Sequence, residues 1–390
     1  MRSRLSFAAI VSAVLLNVAT AGRPADEDAT ALWPLRTIDR SSRGADGVRL
    51  GDVDQDGRAD IATGWEEGGR IRVAFAPSQR PHELWPSMTV GRVKSPEDAF
   101  FCDVDGDGWL DVVSCCEGRE QTIFLHLNPG GAAVRQADAW QTRAVSASQK
   151  ASRWMFAARV DSQRLVVGSK DPHGQIALLD LAQPEPALKQ IRPAGWIMSL
   201  RTIDMDDDGD MDILYSDRKG GQRGIGWLEQ QADDTWTDHL LAGEQHEVMF
   251  LDVMTSGQQR WIAGNTRNGE VLLLRSAVTN PADWGIRRIP HPPNSGAGKA
   301  CALGDMDGDA RLDLVCTCGL AKGKHGVYWL SDVLSEQSQA VFHPISGRQV
   351  GEKFDRIELR DLDRDGDLDV LTCEERDNLG VIWYENPHRP

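Results

Sequence analysis

Five times along this chain an aspartate-rich nonapeptide recurs: DVDQDGRAD from Asp52, DVDGDGWLD from Asp103, DMDDDGDMD from Asp204, DMDGDARLD from Asp305 and DLDRDGDLD from Asp361. Their starts are separated by 51, 101, 101 and 56 residues, so each long gap is about twice the short period. A period near 50 residues marks a stack of small supersecondary units. Each long gap should therefore hide a unit that lacks the aspartates. ARVDSQRLVVGS around Asp161 and LDVMTSGQQRWIAGN around Asp252 keep the flanking apolar segments and fill those places, which makes seven repeats.

Within a repeat, a short apolar segment precedes the aspartate loop and a second follows it. After a polar turn comes a third, as in IRVAF at Ile71, IFLHL at Ile123, IALLD at Ile176, IGWLE at Ile225, VLLLR at Val271, VYWLS at Val327 and VIWYE at Val381. A fourth opens near Trp85, Trp140, Trp236 and Trp284. Four short β-rich runs per unit predict an all-β fold, a seven-bladed β-propeller of four-stranded antiparallel blades. The last repeat stops at Pro390 soon after its third strand, while Leu32–Ile38 (LWPLRTI) stands unclaimed before the first loop. That N-terminal strand is expected to complete the last blade, close the ring and remove its open edge.

Upstream, Arg2 and Arg4 precede an apolar run from Leu5 to Leu16 and the small-residue pattern Ala19-Thr20-Ala21. Residues 1–21 read as a signal peptide, 22–31 as a linker and 32–390 as the propeller, placing the protein outside the cytoplasm, secreted or periplasmic. No later stretch is apolar enough for a membrane span. Seven cysteines contain no Cys-x-x-Cys pair; Cys115, Cys116, Cys318 and Cys373 fall four or five residues after the last loop aspartate, where small core residues are expected rather than disulfides. The net charge of -16 has a local origin, because the five loops concentrate the carboxylates and leave the rest near neutral. With no basic run, nucleic acid is not an expected partner. A monomer is expected.

The repeated D-h-D-x-D-G-x-x-D loop, with h apolar, followed by an apolar strand, resembles the FG-GAP or VCBS repeats of integrin-type propellers and of many secreted bacterial proteins. The resemblance covers essentially the whole chain after residue 31 and implies the propeller fold and calcium. It is silent on ligand, because that family includes adhesion proteins, lectin-like binders and polysaccharide lyases.

A hard cation such as calcium takes six to eight oxygens, and a tight loop can supply them from alternate residues and a carbonyl. The expected ligands are Asp52, Asp54, Asp56 and Asp60 with the carbonyl of Arg58; Asp103, Asp105, Asp107 and Asp111; Asp204, Asp206, Asp208 and Asp212; Asp305, Asp307, Asp309 and Asp313; and Asp361, Asp363, Asp365 and Asp369. Ala310 replaces the loop glycine and marks the weakest of these sites. Up to five ions, mainly structural, are expected, because loops saturated with protein oxygens leave little room for substrate.

Hairpins of a meander alternate ends, so the aspartate loops should share one face, with the other turns and the blade connections on the opposite one. The turns carry Glu66 and Glu67, Glu117 and Arg119, Lys170 and His173, Asp217 and Arg218, Arg267, Lys324 and His325, and Glu375 and Arg376. The connections carry Lys94, Glu97, Asp98, Arg153, Trp154, Trp196, His246, Glu247, Lys299, Lys353 and Asp355. From these, Glu67, Glu97, Asp98, Arg153, Trp154, Lys170, His173, Trp196, Arg218, His246, Glu247, Lys299, Lys353, Asp355, Glu375 and Arg376 are candidate ligand contacts over the central channel. Aromatic faces suit sugar rings, and Arg or Lys suits carboxylates. The reading chosen is a binding propeller for a glycan or protein. One alternative is a lyase or hydrolase acting on a uronic-acid polysaccharide, with His173 or His246 as base beside Arg153 or Arg218; another is a structural envelope component. Elimination requires base and cationic clamp to converge in one cleft.

Overall fold

The computed structural model describes residues 32–387 apart from 184, 280–282 and 336–337. The signal peptide and linker read from the sequence lie outside the described residues. Seven four-stranded antiparallel sheets follow one another along the chain. Blade 1 contains Ala45–Gly51, Asp60–Trp65, Arg70–Ala74 and Ser87–Gly91. The innermost strands of blades 2 to 7 are Pro96–Cys102, Arg153–Arg159, Ile197–Ile203, Val248–Ser256, Ala297–Gly304 and Phe354–Arg360, and each packs against the innermost strands of its neighbours. The two repeats without aspartates form blades 3 and 5, with short hairpins in place of the loops.

Blade 7 takes its fourth strand from the N-terminal side, as expected from the unclaimed segment. Leu35–Asp39 pairs antiparallel with Gly380–Tyr384, with Leu35 opposite Tyr384 and Asp39 opposite Val381. The strand begins after Pro34, which has no N–H to donate to a ladder. Trp33 and Ile38 are buried here, each contributing roughly 2 kcal/mol or more of apolar burial to closure. Arg36 adds an ion pair to Glu385 at 2.7 Å.

The core is distributed between blades. One cluster joins Ile38, Trp65, Trp85 and Trp383 across blades 7 and 1, and another joins Phe100, Leu125, Trp154 and Leu179 across blades 2 and 3. All seven cysteines are buried and unpaired. Burial pushes the Cys102 thiol up to about 11 and the Cys316 thiol up to about 12, the behaviour of small core residues rather than reactive thiols.

Each aspartate loop is stapled by its first and last carboxylates. Asp52 accepts the N–H groups of Asp56 and Gly57, both at 2.9 Å. Asp60 accepts those of Val53, at 3.0 Å, and Ala76, at 2.7 Å, tying the loop to the end of the third strand. Asp111, Asp212 and Asp369 repeat the second pattern with Val104 and Asn128, Met205 and Gln230, and Leu362 and Asn386. Positions four and six of every loop are left-handed. Ala310, at φ 61, adopts the same conformation as the glycines and donates to Asp305 at 2.8 Å, so its loop folds like the others.

Candidate functional site

Six residues before the first aspartate of each loop lie Asp46, Glu97, Met198, Lys299 and Asp355, and Met155 and Met249 occupy the same place in blades 3 and 5. Every innermost strand breaks its ladder at this point. The pairing register shifts between Asp46 and Arg49, Pro96 and Asp98, Trp154 and Phe156, Ile197 and Ser199, Val248 and Leu251, Gly298 and Cys301, and Phe354 and Ile357. A bulge re-aims the side chain beside it. In this ring all seven such side chains line one cavity of about 410 Å³.

A second ring stands above the first, at the ends of the second strands: Glu66, Glu117, Lys170, Arg218, Arg267, Gly319 and Glu375 in blades 1 to 7. All but Glu375 line the same cavity. Together the two rings divide it. Blades 3, 4 and 5 place Lys170, Arg218 and Arg267 above a floor of Met155, Met198, Met249, Phe156 and Phe250. Blades 7, 1 and 2 place Glu375, Glu66 and Glu117 above Asp355, Asp46 and Glu97.

Internal lysines neutralise only part of the acidic side. Lys299 pairs with Asp355 at 2.6 Å, Lys353 pairs with Glu375, and Lys170 pairs with Glu117 while lying 3.9 Å from Glu97. Burial, with the nearby charges of Asp355 and Glu97, pushes the Asp46 carboxyl well above the ordinary range. Glu66 is raised by burial, then by Glu97 and Glu375, and Glu97 is raised by burial. On the basic side Trp196 carries three cations: Lys170 and Arg218 each lie 4.4 Å from its ring and Lys219 lies 4.9 Å away. The indole therefore holds the cations in place rather than offering a bare stacking face.

The structure places the other expected contacts as follows. Glu97, Lys170, Trp196, Arg218, Lys299, Lys353, Asp355 and Arg376 line the cavity, with Glu375 beside it and Glu247 held to Arg218 at 2.7 Å. Asp98 does not reach it: the carboxylate is buried and bound by both ends of the Arg49 guanidinium, at 3.0 and 2.7 Å. Trp154 is wholly buried in the seam between blades 2 and 3, donating its indole N–H to the Ser148 carbonyl. Glu67 faces outward, half-exposed, toward Arg43. His173 is exposed on its turn, and His246 is engaged by Glu270 at 3.4 Å and Arg288 at 3.3 Å. Among the described residues no histidine lines the cavity, nor does Arg153. The pairing of His173 or His246 with Arg153 or Arg218 in one cleft is thus not assembled.

Asp46, Met155, Met198 and Met249 were not anticipated. Counting back from each loop to one register position finds Asp46 and Met198, but only knowledge of the bulges says that this position faces the axis.

At the opposite end, the loop carboxylates fit a hard cation. Asp54 and Asp204 each keep one buried oxygen without a hydrogen-bond partner. The same holds for Asp210 and for both oxygens of Asp367, at position seven of their loops, which sequence reasoning passed over. One oxygen from each of Asp52, Asp54 and Asp60 lies within 4.8 Å of the others, and likewise for Asp103, Asp105 and Asp111. Burial, then neighbouring loop aspartates working against backbone hydrogen bonds, pushes Asp60, Asp111, Asp212, Asp313 and Asp369 up to about 7.

No family model and no curated protein matches the chain. Solved structures do. An ancestral GH74 enzyme aligns at TM-score 0.56 and 11% identity, over 92% of this chain and 51% of its own. Virginiamycin B lyase from Staphylococcus aureus aligns at 0.55 and 9%, over 90% and 97%. BBS1N, solved in complex with ARL6DN, aligns at 0.53 and 13%, over 92% and 98%. At these identities the likeness is one of fold, and the chain is a β-propeller.

Proposed function

We propose that this protein is an exported, calcium-stabilised binding propeller of the FG-GAP or VCBS type, which recognises an acidic glycan in the cavity opposite the aspartate loops. The observation that supports this most is the cavity's division into a basic arc over an apolar floor and an acidic wall, all displayed from equivalent positions of seven blades. A carboxylated sugar offers the matching pieces: a carboxylate for Arg267, flanked by Arg218 and Lys170 on their ion pairs to Glu247 and Glu117, and an apolar ring face for the methionines. A volume of about 410 Å³ lies within the range of small-ligand sites and suits a sugar unit or two, rather than a broad protein surface.

Calcium belongs to the other end. Unpartnered carboxylate oxygens in loops already held by backbone hydrogen bonds describe a cation clip, and the ion would secure each hairpin without meeting the ligand.

The test is retention on immobilised uronic-acid polysaccharides together with assay of the soluble fraction for new unsaturated ends. Retention without product is the expected result. Accumulating product would replace binding by elimination, and the base would then have to come from the cavity carboxylates rather than a histidine.

A further inference from the structure

We propose that Asp46, Glu66 and Glu97 form a binding site for a divalent cation inside the cavity, separate from the aspartate loops. Asp46 is 5% exposed and lines the cavity, yet its carboxylate has no hydrogen bond or ion pair with any described residue. Lys299 and Lys353 act on it only from a distance, since their direct ion pairs go to Asp355 and Glu375, and a buried carboxylate without a direct partner is costly. The Glu66 carboxylate, above it, also has no hydrogen bond or ion pair with a described residue, and that of Glu97 has only Lys170, at 3.9 Å.

The geometry suits one ion. An oxygen from each of the three carboxylates lies within 4.8 Å of the other two. Two oxygens bound to the same calcium at about 2.4 Å can be no farther apart than that. Asp46 also lies within the same reach of Asp355 and Glu375, but those two are occupied by Lys299 and Lys353. Balance of charge favours the first group: six carboxylates on this wall face Lys170, Lys299, Lys353 and Arg376, and the direct ion pairs of the lysines go mainly to Glu117, Asp355 and Glu375. The donors are all oxygen, which selects calcium, magnesium or manganese over softer metals. Three protein oxygens also leave about half of a six- to eight-fold shell open to the cavity. A hydroxyl or carboxylate of a bound saccharide can complete it, so the site deepens the binding reading while standing on its own residues.

The experiment uses the ion alone. Crystals of the full chain are soaked in manganese(II) chloride, and anomalous scattering locates the metal in wild type, Asp46→Asn and Glu66→Gln. The expected result is a wild-type peak bonded to Asp46, Glu66 and Glu97 that disappears in both variants, while any loop peaks are unchanged. Asp46→Asn is nearly isosteric, and Glu66→Gln changes a turn residue, so one of them supplies the comparison if the other does not fold. A wild-type crystal without this peak overturns the proposal whether or not the loops load, and so does a peak that neither variant removes. Because no saccharide is present, an empty site leaves glycan binding standing, and a failure of glycan binding leaves the ion site standing.

Discussion

The two ends of the ring use the same repeat in opposite ways. At the loop end, five blades present nearly identical aspartates that hold the same tight loop, and in four of them the last aspartate ties the hairpin to its own third strand. At the cavity end, seven equivalent positions hold two aspartates, a glutamate, three methionines and a lysine. Repetition of chemistry at one end points to a shared structural task. Divergence at equivalent positions of the other end points to a single asymmetric site that no blade could make alone.

The comparison breaks most visibly on chelation. Removing metal is expected to lower the melting temperature by about 10 °C or more, since an ion at a hundred times its Kd contributes about 2.7 kcal/mol and several act together; an unchanged melt would remove calcium from the account. This effect carries a pH signature. The loop-closing aspartates, raised from about 3.8 to about 7 when folded without metal, favour the metal-free fold below pH 4, and that contribution is lost as pH rises through 7. The gap between calcium-loaded and chelated melting curves should therefore widen from pH 4 to pH 7. A constant gap would mean that proton and metal do not compete there.

At the cavity end, neutralising Arg218 and Arg267 together should weaken retention of a uronic-acid polysaccharide about ten- to a hundred-fold, the worth of one or two charge-assisted hydrogen bonds. Equilibrium binding measurements would check it. A loss below threefold would take the ligand away from the basic arc.

A smaller effect separates the staple from the metal. Asp60→Asn leaves one of the buried N–H groups of Val53 and Ala76 unaccepted and is expected to destabilise even the chelated protein by about 1–3 kcal/mol. Denaturant melts read this directly. No change in chelator would mean that Asp60 acts only through the ion. Least of all, Ala310→Gly should stabilise by about 1 kcal/mol by relieving a left-handed alanine; a destabilised variant would show that the position needs its methyl group.

Much of this architecture was legible in the sequence, because loop spacing is arithmetic and strands of a meander alternate ends. The doubled gaps gave the blade count, and the unclaimed Leu32–Ile38 segment gave the closure. The site was legible in part. Turn residues such as Lys170 and Arg218 follow from topology, but Trp154 and Asp98 were misplaced because a bulge turns alternate side chains of the same short segment toward axis or seam. Glu97 faces the cavity while Asp98, next to it, is buried on Arg49. Period-two reasoning cannot see that irregularity, and for the same reason it passed over Asp46 and the three methionines.

The most direct test sets the two ends against each other in one experiment. Melting temperature and retention of a uronic-acid polysaccharide are measured in calcium for wild type, for the Arg218 and Arg267 double variant, and for Asp103→Asn. The account predicts that the cavity variant loses retention even well below its melt, while the loop variant melts lower and, below its melt, retains the polysaccharide like wild type. Retention lost in the loop variant and kept in the cavity variant would contradict it.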